Sequence, residues 1–528
     1  MPVSTLISFL LVALATFYPL HPEFNRATIA NEMEQSLQRD LLTKFFPAVI
    51  DEEKGGFLTT FTYDWKLTGP QDKMIVTQAR HTWTPAKAAL FYPGNQEYRT
   101  AARHGYAYLR NVLWDKYHGG FYTWVSRDGK PKDDEPKTAY GNAFGIYALA
   151  AYYQLSGDTA TLNLAKQAFL WLEKHSHDPK AKGYFQHLTR EGKPILKRSA
   201  TNPEVGYKDQ NSSIHLLEAF TELYSVWPDN LLRVRLQEML MLIRDRIVTP
   251  KGYLTLFLTP EWKPVSYRDS SETARKANHR LDHVSFGHDV ETAYLLLEAS
   301  HTLGLKHDEV TMKIAKKMVD HALQNGWDNQ AGGFYDQGYY YKGSDKIAII
   351  HDAKNWWTQA EALNTLLLMA DTYPNDKQQY YDKFTKQWEY VKKYLLDSKY
   401  GGWYAGGIDK EPDQAKGNKG HAWKACYHES RSLMNCLLRL NPDKQAPSAP
   451  TGLTISTNNS QAVVKWKAST DNRQVIGYDI YLGGKKIGFT PLAQFALSAS
   501  DASKKNDLYV IAKDLSGNET VSQAITRE

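Results

Sequence analysis

Apolar positions recur at spacings of three and four residues in twelve stretches between Glu23 and Asn441, which is the pattern of amphipathic helices. The stretches come in pairs, and a helix with one apolar face cannot bury that face alone. Six such pairs predict an all-α (α/α)6 barrel over residues 23–441, with the even-numbered helices in the inner ring. The predicted helices are 27–46, 79–92, 96–113, 139–156, 158–175, 210–226, 229–248, 288–303, 308–325, 354–372, 376–396 and 423–440.

A short turn motif, in which a glycine precedes an aromatic side chain, lies between neighbouring predicted helices. Successive copies are 63 to 81 residues apart, and in five of the six copies an Asp lies five residues before the glycine. The fourth copy has Ile247 at that position. Six copies of one turn predict six copies of one structural unit, each with a short β-hairpin at the turn. The glycines are Gly56, Gly120, Gly183, Gly252, Gly333 and Gly402.

The pattern changes after a Pro-containing linker at 442–450. Short stretches of alternating apolar and polar residues, separated by turn signals, predict a small all-β sandwich over 451–528. With Trp466, Tyr478 and Tyr509, this region resembles a fibronectin type III domain. We expect it to act as a spacer or attachment module, with weak glycan binding as the alternative.

The first 20 residues are predicted to be a signal peptide. Leu6 to Tyr18 form an apolar stretch too short to span a bilayer, and Ala13-Leu14-Ala15 has the form of a cleavage site. The signal is atypical because no Lys or Arg precedes Arg26, and a buried N-terminal element is the alternative. The prediction is export to the periplasm or the medium, with no membrane span after cleavage.

Composition narrows the range of ligands. The chain has 14 Trp and 33 Tyr, and aromatic faces pack well on the apolar faces of sugar rings. The net charge is +6 without a long basic run, which argues against a nucleic-acid partner. We therefore expect a small neutral ligand and a monomeric protein. Cys426 and Cys436 lie in one predicted helix, roughly 15 Å apart, which is too far for a disulfide.

The stretch Ser285–Glu291 is the strongest candidate for chemistry. It opens an apolar helix, and Asp289 is suited to cap that helix. His288 and Glu291 are three residues apart and therefore share a helix face. The positive end of a helix disfavours imidazolium, so His288 is expected to be a neutral base that Glu291 orients.

Other polar and aromatic residues also cluster at the starts of even-numbered helices, where an inner ring brings them to one mouth. Each has a structural interpretation as well, as a core aromatic, a helix cap or a buried polar group. The regular position of the cluster on the helices favours a shared site. Its members are Arg80, Tyr140, Asn211, His215, Trp357, Glu361, Trp423 and His428.

In these motifs the chain resembles the N-acylglucosamine 2-epimerase superfamily, and within it the cellobiose 2-epimerases, which act on β-1,4-linked disaccharides. The resemblance implies an (α/α)6 barrel in which His288 and His428 work on opposite sides of the reducing-end sugar. It also implies a supporting carboxylate at Glu291 and an essential arginine at Arg80. Sugar-binding roles are implied for Tyr140, Asn211, His215, Trp357, Glu361 and Trp423. Tyr294 departs from the family, which usually has Trp there, so the shape of that subsite is in question.

The chemistry of a 2-epimerase requires such groups. The sugar ring must open, and a neutral base must remove the C2 proton, which His does near pH 7. Arg80 is suited to stabilise the resulting enediolate. We expect no cofactor and no metal, because the family uses neither and no ligand spacing such as His-x3-His is seen.

Three alternatives remain open at this stage. The first is an aldose–ketose isomerase or monosaccharide 2-epimerase of the same superfamily. The second is an (α/α)6 glycoside hydrolase or lyase. A hydrolase needs two carboxylates, for which the candidates are Asp289, Glu218 and Glu361. The third is a glycan-binding protein without catalysis.

Overall fold

The computed structural model describes residues 22–132, 134–198, 202–458, 461–504 and 506–525. The predicted signal peptide at 1–20 lies outside these residues. Within the described part of the chain, no helix combines the length and the apolar character that crossing a bilayer requires.

Among the described residues, fourteen α-helices make up the barrel region, two more than predicted. The first, α1, continues through the wide turn Ser36–Leu42 into the short α2. The helices are α1 (Pro22–Gln35), α2 (Thr43–Ala48), α3 (Ile75–Phe91), α4 (Gln96–Tyr108), α5 (Ala139–Ser156), α6 (Thr159–His175), α7 (Gln210–Val226), α8 (Asn230–Leu242), α9 (Glu272–Asp282), α10 (Phe286–Thr302), α11 (Glu309–Asn325), α12 (Trp356–Thr372), α13 (Tyr380–Tyr394) and α14 (Tyr427–Leu440).

The helices form two concentric rings. In the inner ring, α3, α5, α7, α10, α12 and α14 pack in that order, and α14 closes the ring against α3. The outer ring consists of α1 with α2, α4, α6, α8, α11 and α13. Inner helices are buried nearly all round, as in α5, whereas outer helices bury one stripe. The predicted (α/α)6 barrel is therefore confirmed, and Cys426 and Cys436 are buried free thiols.

The six glycine-aromatic turns are short hairpins, each closed by one β-bridge. The fourth turn is one residue shorter than the others. In the first turn Asp51 N donates to the carbonyl of Gly56, whereas at the matching place in the fourth turn Thr249 N donates to the carbonyl of Tyr253. Thr249, and not Ile247, therefore stands at the Asp position. The bridges are Ile50–Phe57, Trp114–Phe121, His177–Tyr184, Val248–Leu254, Trp327–Phe334 and Leu396–Trp403.

Short antiparallel ladders lead into four of the inner helices. Strands β1, β3, β5 and β7 end directly before α3, α5, α7 and α10 and so bring their first turns to the same end of the barrel. The pairs are β1 (Lys73–Met74) with β2 (Trp124–Val125), β3 (Lys137–Thr138) with β4 (His187–Leu188), β5 (Lys208–Asp209) with β6 (Phe257–Leu258), and β7 (Val284–Ser285) with β8 (Gln337–Tyr340), which also pairs with β9 (Ile347–His351).

A buried lysine ties each turn except the fourth to the segment before the inner helix. Its Nζ lies 2.7 to 2.9 Å from the turn Asp, and it lies over aromatic rings. The attraction between the charges, together with a backbone carbonyl hydrogen bond in four of the five pairs, offsets the desolvation of both charges. The pairs are Lys73–Asp51, Lys137–Asp115, Lys208–Asp178, Lys354–Asp328 and Lys419–Asp397.

Two elements beside the fourth unit were not predicted, namely α9 and the β8–β9 hairpin. They pack on each other, since the hydroxyl of Tyr339 donates to Asp282 at 2.9 Å and the rings of His279 and Tyr339 lie 5.0 Å apart. Polar residues dominate α9, and Leu281 is the one buried residue in this described helix. The apolar periodicity that revealed the barrel helices is therefore weak there.

The C-terminal region is a two-sheet β domain, as predicted. It packs on the barrel end opposite the inner-helix N-termini, where Tyr153 at the end of α5 donates to the carbonyl of Phe489 at 2.8 Å. Lys486 Nζ donates to the carbonyl of Ser225 at 2.7 Å. One sheet holds β10 (Thr451–Asn458), β11 (Gln461–Lys467) and β14 (Gln494–Ala496); the other holds β12 (Val475–Leu482), β13 (Lys485–Thr490), β15 (Leu508–Asp514) and β16 (Glu519–Val521); a short α15 (Ala499–Ala502) precedes β15.

Candidate active site

A cavity of about 180 Å³ opens at the N-terminal ends of the inner helices. Every site residue predicted from the sequence except Glu361 lies on its wall, together with Trp356. Tyr140, Asn211, His288 and Trp423 also line an adjoining groove of about 350 Å³. The predicted residues on the cavity wall are Arg80, Tyr140, Asn211, His215, His288, Glu291, Trp357, Trp423 and His428.

His428 is held from behind by Glu361, the one predicted site residue that does not reach the wall. His428 Nδ1 lies 2.7 Å from Glu361 Oε1, and Arg431 Nη2 lies 2.7 Å from the same oxygen. With Nδ1 engaged, Nε2 is the ring nitrogen left for the cavity. The three residues lie in the first turns of α12 and α14, where adjacent inner helices converge.

Arg431 is the centre of a buried network of carboxylates. Its Nη2 donates to Glu291 Oε1 at 2.7 Å, and its Nη1 bonds Glu218 Oε1. Glu218 in turn bonds His215, with its Oε2 2.8 Å from His215 Nδ1. Three carboxylates thus share one guanidinium, and two of them hold histidines that line the cavity.

His288 is oriented by a residue that was not predicted to do so. Its Nδ1 lies 2.8 Å from Ser285 Oγ, one turn before it. Glu291, expected to orient His288, lies deeper and places its Oε1 3.9 Å from His428 Nδ1. That expectation was wrong because the side chain at i+3 points inward to Arg431. The expected cap was also wrong, since the helix begins at Phe286 and buried Asp289 accepts a hydrogen bond from Leu254 N at 2.9 Å.

Trp357 packs against both candidate catalytic histidines. Its ring centroid is 4.7 Å from that of His288 and 5.9 Å from that of His428. Both imidazoles therefore contact the same aromatic residue in the same cavity. Trp423 stands at the mouth and is 50% exposed, so its ring is accessible from solvent.

Burial keeps the histidines of the cavity neutral. It lowers the pKa of His288 to about 3, with a smaller contribution from His215, and lowers the pKa of His428 well below its usual value, with Arg80 adding to the effect. His215 is shifted in the same direction by burial and by Arg80. A neutral imidazole is the form that can accept a proton.

Burial acts on the carboxyl groups in the opposite direction. It raises the pKa of Glu291 to about 7, opposed by Arg80. It also raises the pKa of Glu361 well above its usual value, and the nearby charge of Glu291 adds to this. Near neutral pH the site therefore combines unprotonated imidazoles with carboxyl groups that retain protons, which is a suitable set for proton transfer.

Arg80 supplies a positive charge at the cavity. Its Nη1 donates to the carbonyl of Trp423 at 3.2 Å, and its Nη2 donates to the Tyr140 hydroxyl at 3.3 Å. The guanidinium lies over the rings of Phe144 and Tyr427, at 4.6 and 5.2 Å from their centroids. Packing fixes its position, while its Nε is buried without a hydrogen-bond partner in the described structure.

One group of possible metal ligands overlaps the site. A ligand atom from each of Glu291, Glu361 and His428 lies within 4.8 Å of the other two. The Arg431 guanidinium lies 2.7 Å from both carboxylates of this group. The carboxylates therefore already have a cation between them, and the residues present do not fit a metal ion there.

Sequence reasoning missed several of these groups. Ser285 opens the stretch singled out above but was given no role, Arg431 was not predicted, and Glu218 appeared only as a hydrolase candidate. Tyr294, where the family usually has Trp, lies below the site. Its hydroxyl donates to Glu298 at 2.9 Å, and its side chain does not line the cavity. A signal was available for the buried lysines, because a Lys follows the turn Asp by 22 residues in three of the units.

Comparison with known proteins agrees with the geometry. The profile of the N-acylglucosamine 2-epimerase (GlcNAc 2-epimerase) family matches residues 55–429. A cellobiose 2-epimerase of Ruminococcus albus is 30% identical over 418 residues, covering 78% of this chain and 98% of that one. A cellobiose 2-epimerase of Bacteroides fragilis is 28% identical over 421 residues, covering 77% and 98%.

The fold is also similar to that of a solved relative. The structure of cellobiose 2-epimerase from Spirochaeta thermophila superimposes with a TM-score of 0.69 at 28% identity, covering 80% of this chain and 99% of that one. Sequence and fold thus agree over the whole barrel. The chain belongs to the N-acylglucosamine 2-epimerase family and is an enzyme of the epimerase and isomerase class.

Proposed function

We propose that this enzyme inverts C2 of the reducing-end sugar of β-1,4-linked disaccharides of the cellobiose or mannobiose type. The observation that carries the proposal is the placement of His288 and His428 against Trp357 in one cavity. Each imidazole has Nδ1 engaged by a partner, so each presents Nε2. Two neutral bases at one cavity are what removal and return of a proton on opposite faces require.

The proposed proton path uses both histidines. In the ring-opened sugar the C2–H bond breaks, the proton passes to Nε2 of His288, and the electron pair forms an enediolate with O1. His428 then gives the proton on its Nε2 to the other face of C2. At the same time Glu361 donates its own proton to Nδ1 of His428, so the ring stays neutral. The reverse reaction uses the same groups with their roles exchanged.

Arg80 has a separate role in the proposal. The enediolate carries negative charge on oxygen, and a fixed guanidinium in a buried site stabilises such a charge strongly. Tyr140 and Asn211 line both the cavity and the groove and are suited to hold the hydroxyl groups of the sugar. The protonated carboxyl group of Glu291, which lines the cavity, would supply the acid that ring opening needs at O5.

The adjoining groove is suited to the second sugar of the disaccharide. Trp423 is shared by the cavity and the groove, and its exposed ring is available to a sugar face. The relatives described above are named for cellobiose, a β-1,4 disaccharide. The cavity with its adjoining groove, together with these relatives, therefore supports a β-1,4-linked disaccharide as the substrate.

The alternatives differ in what they require from the same cavity. An isomerase would return the proton to C1 in place of C2 and would need no second histidine for the opposite face, so the presence of two histidines in one cavity favours epimerisation. A hydrolase needs two carboxylates flanking the bond. Asp289 and Glu218 are buried away from the wall, and Glu361 lies behind His428, which disfavours hydrolysis.

Incubation of cellobiose with the enzyme in heavy water tests the proposal. We expect deuterium at C2 of the reducing-end sugar and a new glucosyl-mannose signal in the NMR spectrum, with the glycosidic bond intact. Early accumulation of a ketose would assign the enzyme to the isomerases. Release of monosaccharide without exchange at C2 would refute the proposal.

We also propose that the chain is exported, on the basis of the apolar segment at 1–20. Expression of the full chain and of a chain lacking these residues, followed by fractionation, tests this. Retention of both forms in the cytoplasm would contradict it.

A further inference from the structure

The fourth structural unit lacks the buried ion pair that the other five share. Thr249 occupies the Asp position of the turn. Val284 occupies the Lys position, because it pairs with Gly338 two residues before α10, as Lys73 pairs with Val125 two residues before α3. Both charges are replaced together, so neither is left buried without a partner.

A cavity of about 270 Å³ occupies this place in the fourth unit. Elsewhere the Lys side chain fills the corresponding space and lies on aromatic rings, as Lys208 lies 4.8 Å from the ring centroid of Trp262. Thr249 and Val284 are both too short to fill it, and both line the cavity. The cavity thus results from two residue differences between the fourth unit and the other five units.

The walls combine aromatic side chains with donors and acceptors. Tyr253 and Tyr340 are stacked with ring centroids 5.3 Å apart, and the Arg268 guanidinium lies 6.0 Å from the centroid of Tyr340. Asp282 lines the same cavity, so one positive and one negative side chain face it. Aromatic side chains with balanced polar groups suit a neutral, hydroxyl-rich ligand better than an ion.

The cavity adjoins the groove that leads to the candidate active site. Leu256 and His283 line both volumes. His283 Nδ1 lies 3.0 Å from the carbonyl of His279, which leaves Nε2 for a ligand. Thr255 and Ser266 add hydroxyl groups to the wall of the cavity.

We propose that this fourth-unit cavity, between Thr249, Val284 and the stacked Tyr253 and Tyr340, binds a single hexose unit of a neutral carbohydrate. The site goes beyond the proposed epimerisation, since no group in it takes part in proton transfer. The hexose is either a free sugar or the distal unit of an oligosaccharide that extends from the groove.

Two probes distinguish these sources. Methyl β-D-glucopyranoside has no free reducing end, so its binding to the full chain is measured by calorimetry without turnover. Cellotriose is compared with cellobiose as a substrate.

Two variants change the cavity. Arg268→Ala removes a donor from it, and Thr249→Asp with Val284→Lys restores the ion pair of the other units and fills the space. Lys263→Ala, an exposed change on the neighbouring hairpin, is the control.

If the site takes free sugar, the glycoside binds with a stoichiometry of two that falls to one in the double variant, and Arg268→Ala weakens the second binding event about tenfold. If it takes a distal unit, Arg268→Ala raises the KM for cellotriose about tenfold and leaves the KM for cellobiose unchanged. Unchanged glycoside binding and unchanged cellotriose KM in Arg268→Ala would overturn the proposal, even if the double variant failed to fold. Because glycoside binding needs no catalysis, this failure is distinguishable from failure of the proposed epimerisation.

Discussion

His428 Nδ1 lies 2.7 Å from Glu361 Oε1, so the ring orientation and the protonation state of this histidine depend on a carboxyl group that lies behind the cavity wall. Replacing Glu361 with Gln keeps the shape and removes the exchangeable proton. We expect kcat to fall about 10²- to 10⁴-fold with little change in KM, because general acid–base catalysis contributes that much. Initial rates by NMR with cellobiose give both constants.

The matched control is Glu298→Gln. Glu298 is also a carboxyl group of an inner helix, but it accepts a hydrogen bond from Tyr294 below the site. Its replacement is expected to leave kcat within about threefold of the parent enzyme. Equal losses in the two variants would show that the effect of Glu361 is structural.

The pH dependence of kcat/KM is expected to report Glu291 and not the histidines. Burial lowers the pKa of His288 to about 3, so its charge does not change between pH 5 and 9. Burial raises the pKa of Glu291 to about 7, so it is neutral below and negative above that pH. The proposed ring opening uses the protonated form of Glu291 as its acid, and kcat/KM should therefore fall as pH increases through about 7.

Glu291→Gln removes the titrating group. The fall in kcat/KM near pH 7 should then disappear, while the parent enzyme retains it. Persistence of the same limb in the variant would assign the titration to another group. The profile is measured between pH 5 and 9 with cellobiose.

Trp423 is expected to contribute to substrate binding and not to chemistry. It is half-exposed at the mouth and shared by the cavity and the groove. Trp423→Ala should raise the KM for cellobiose about 5- to 10-fold through loss of an aromatic contact, with kcat little changed. Tyr117→Ala, at an aromatic residue that is 89% exposed, is the control and should change neither constant. A fall in kcat alone would contradict the assignment.

The buried ion pairs give a stability prediction that the fourth unit itself suggests. Lys137→Val leaves buried Asp115 with Arg190, 3.6 Å away, as its remaining charged partner and should lower the free energy of unfolding by about 3 kcal/mol. Adding Asp115→Thr copies the fourth unit and should restore part of that loss. Urea denaturation followed by circular dichroism measures both variants. A double variant less stable than the single one would show that the Asp acts mainly through its backbone hydrogen bonds in the turn.

The sequence determined the barrel and the positions of its inner helices, because helical periodicity and a repeated turn are local signals. Polar residues at the start of every second helix, such as Arg80, Asn211 and His428, then indicated that these side chains share one mouth of the barrel. Elements without apolar periodicity escaped this reasoning. The helix α9, which is polar nearly throughout, is the clearest case.

Only the tertiary structure decided which side chains meet across helices. Glu291 was assigned to His288 because spacing along one helix was the only information available, whereas packing turns it toward Arg431 on another helix. Burial is likewise a property of the assembled rings, and it sets the protonation of His288 and Glu361. Local sequence therefore placed the chemical groups on their helices, and long-range packing chose their partners and their charges.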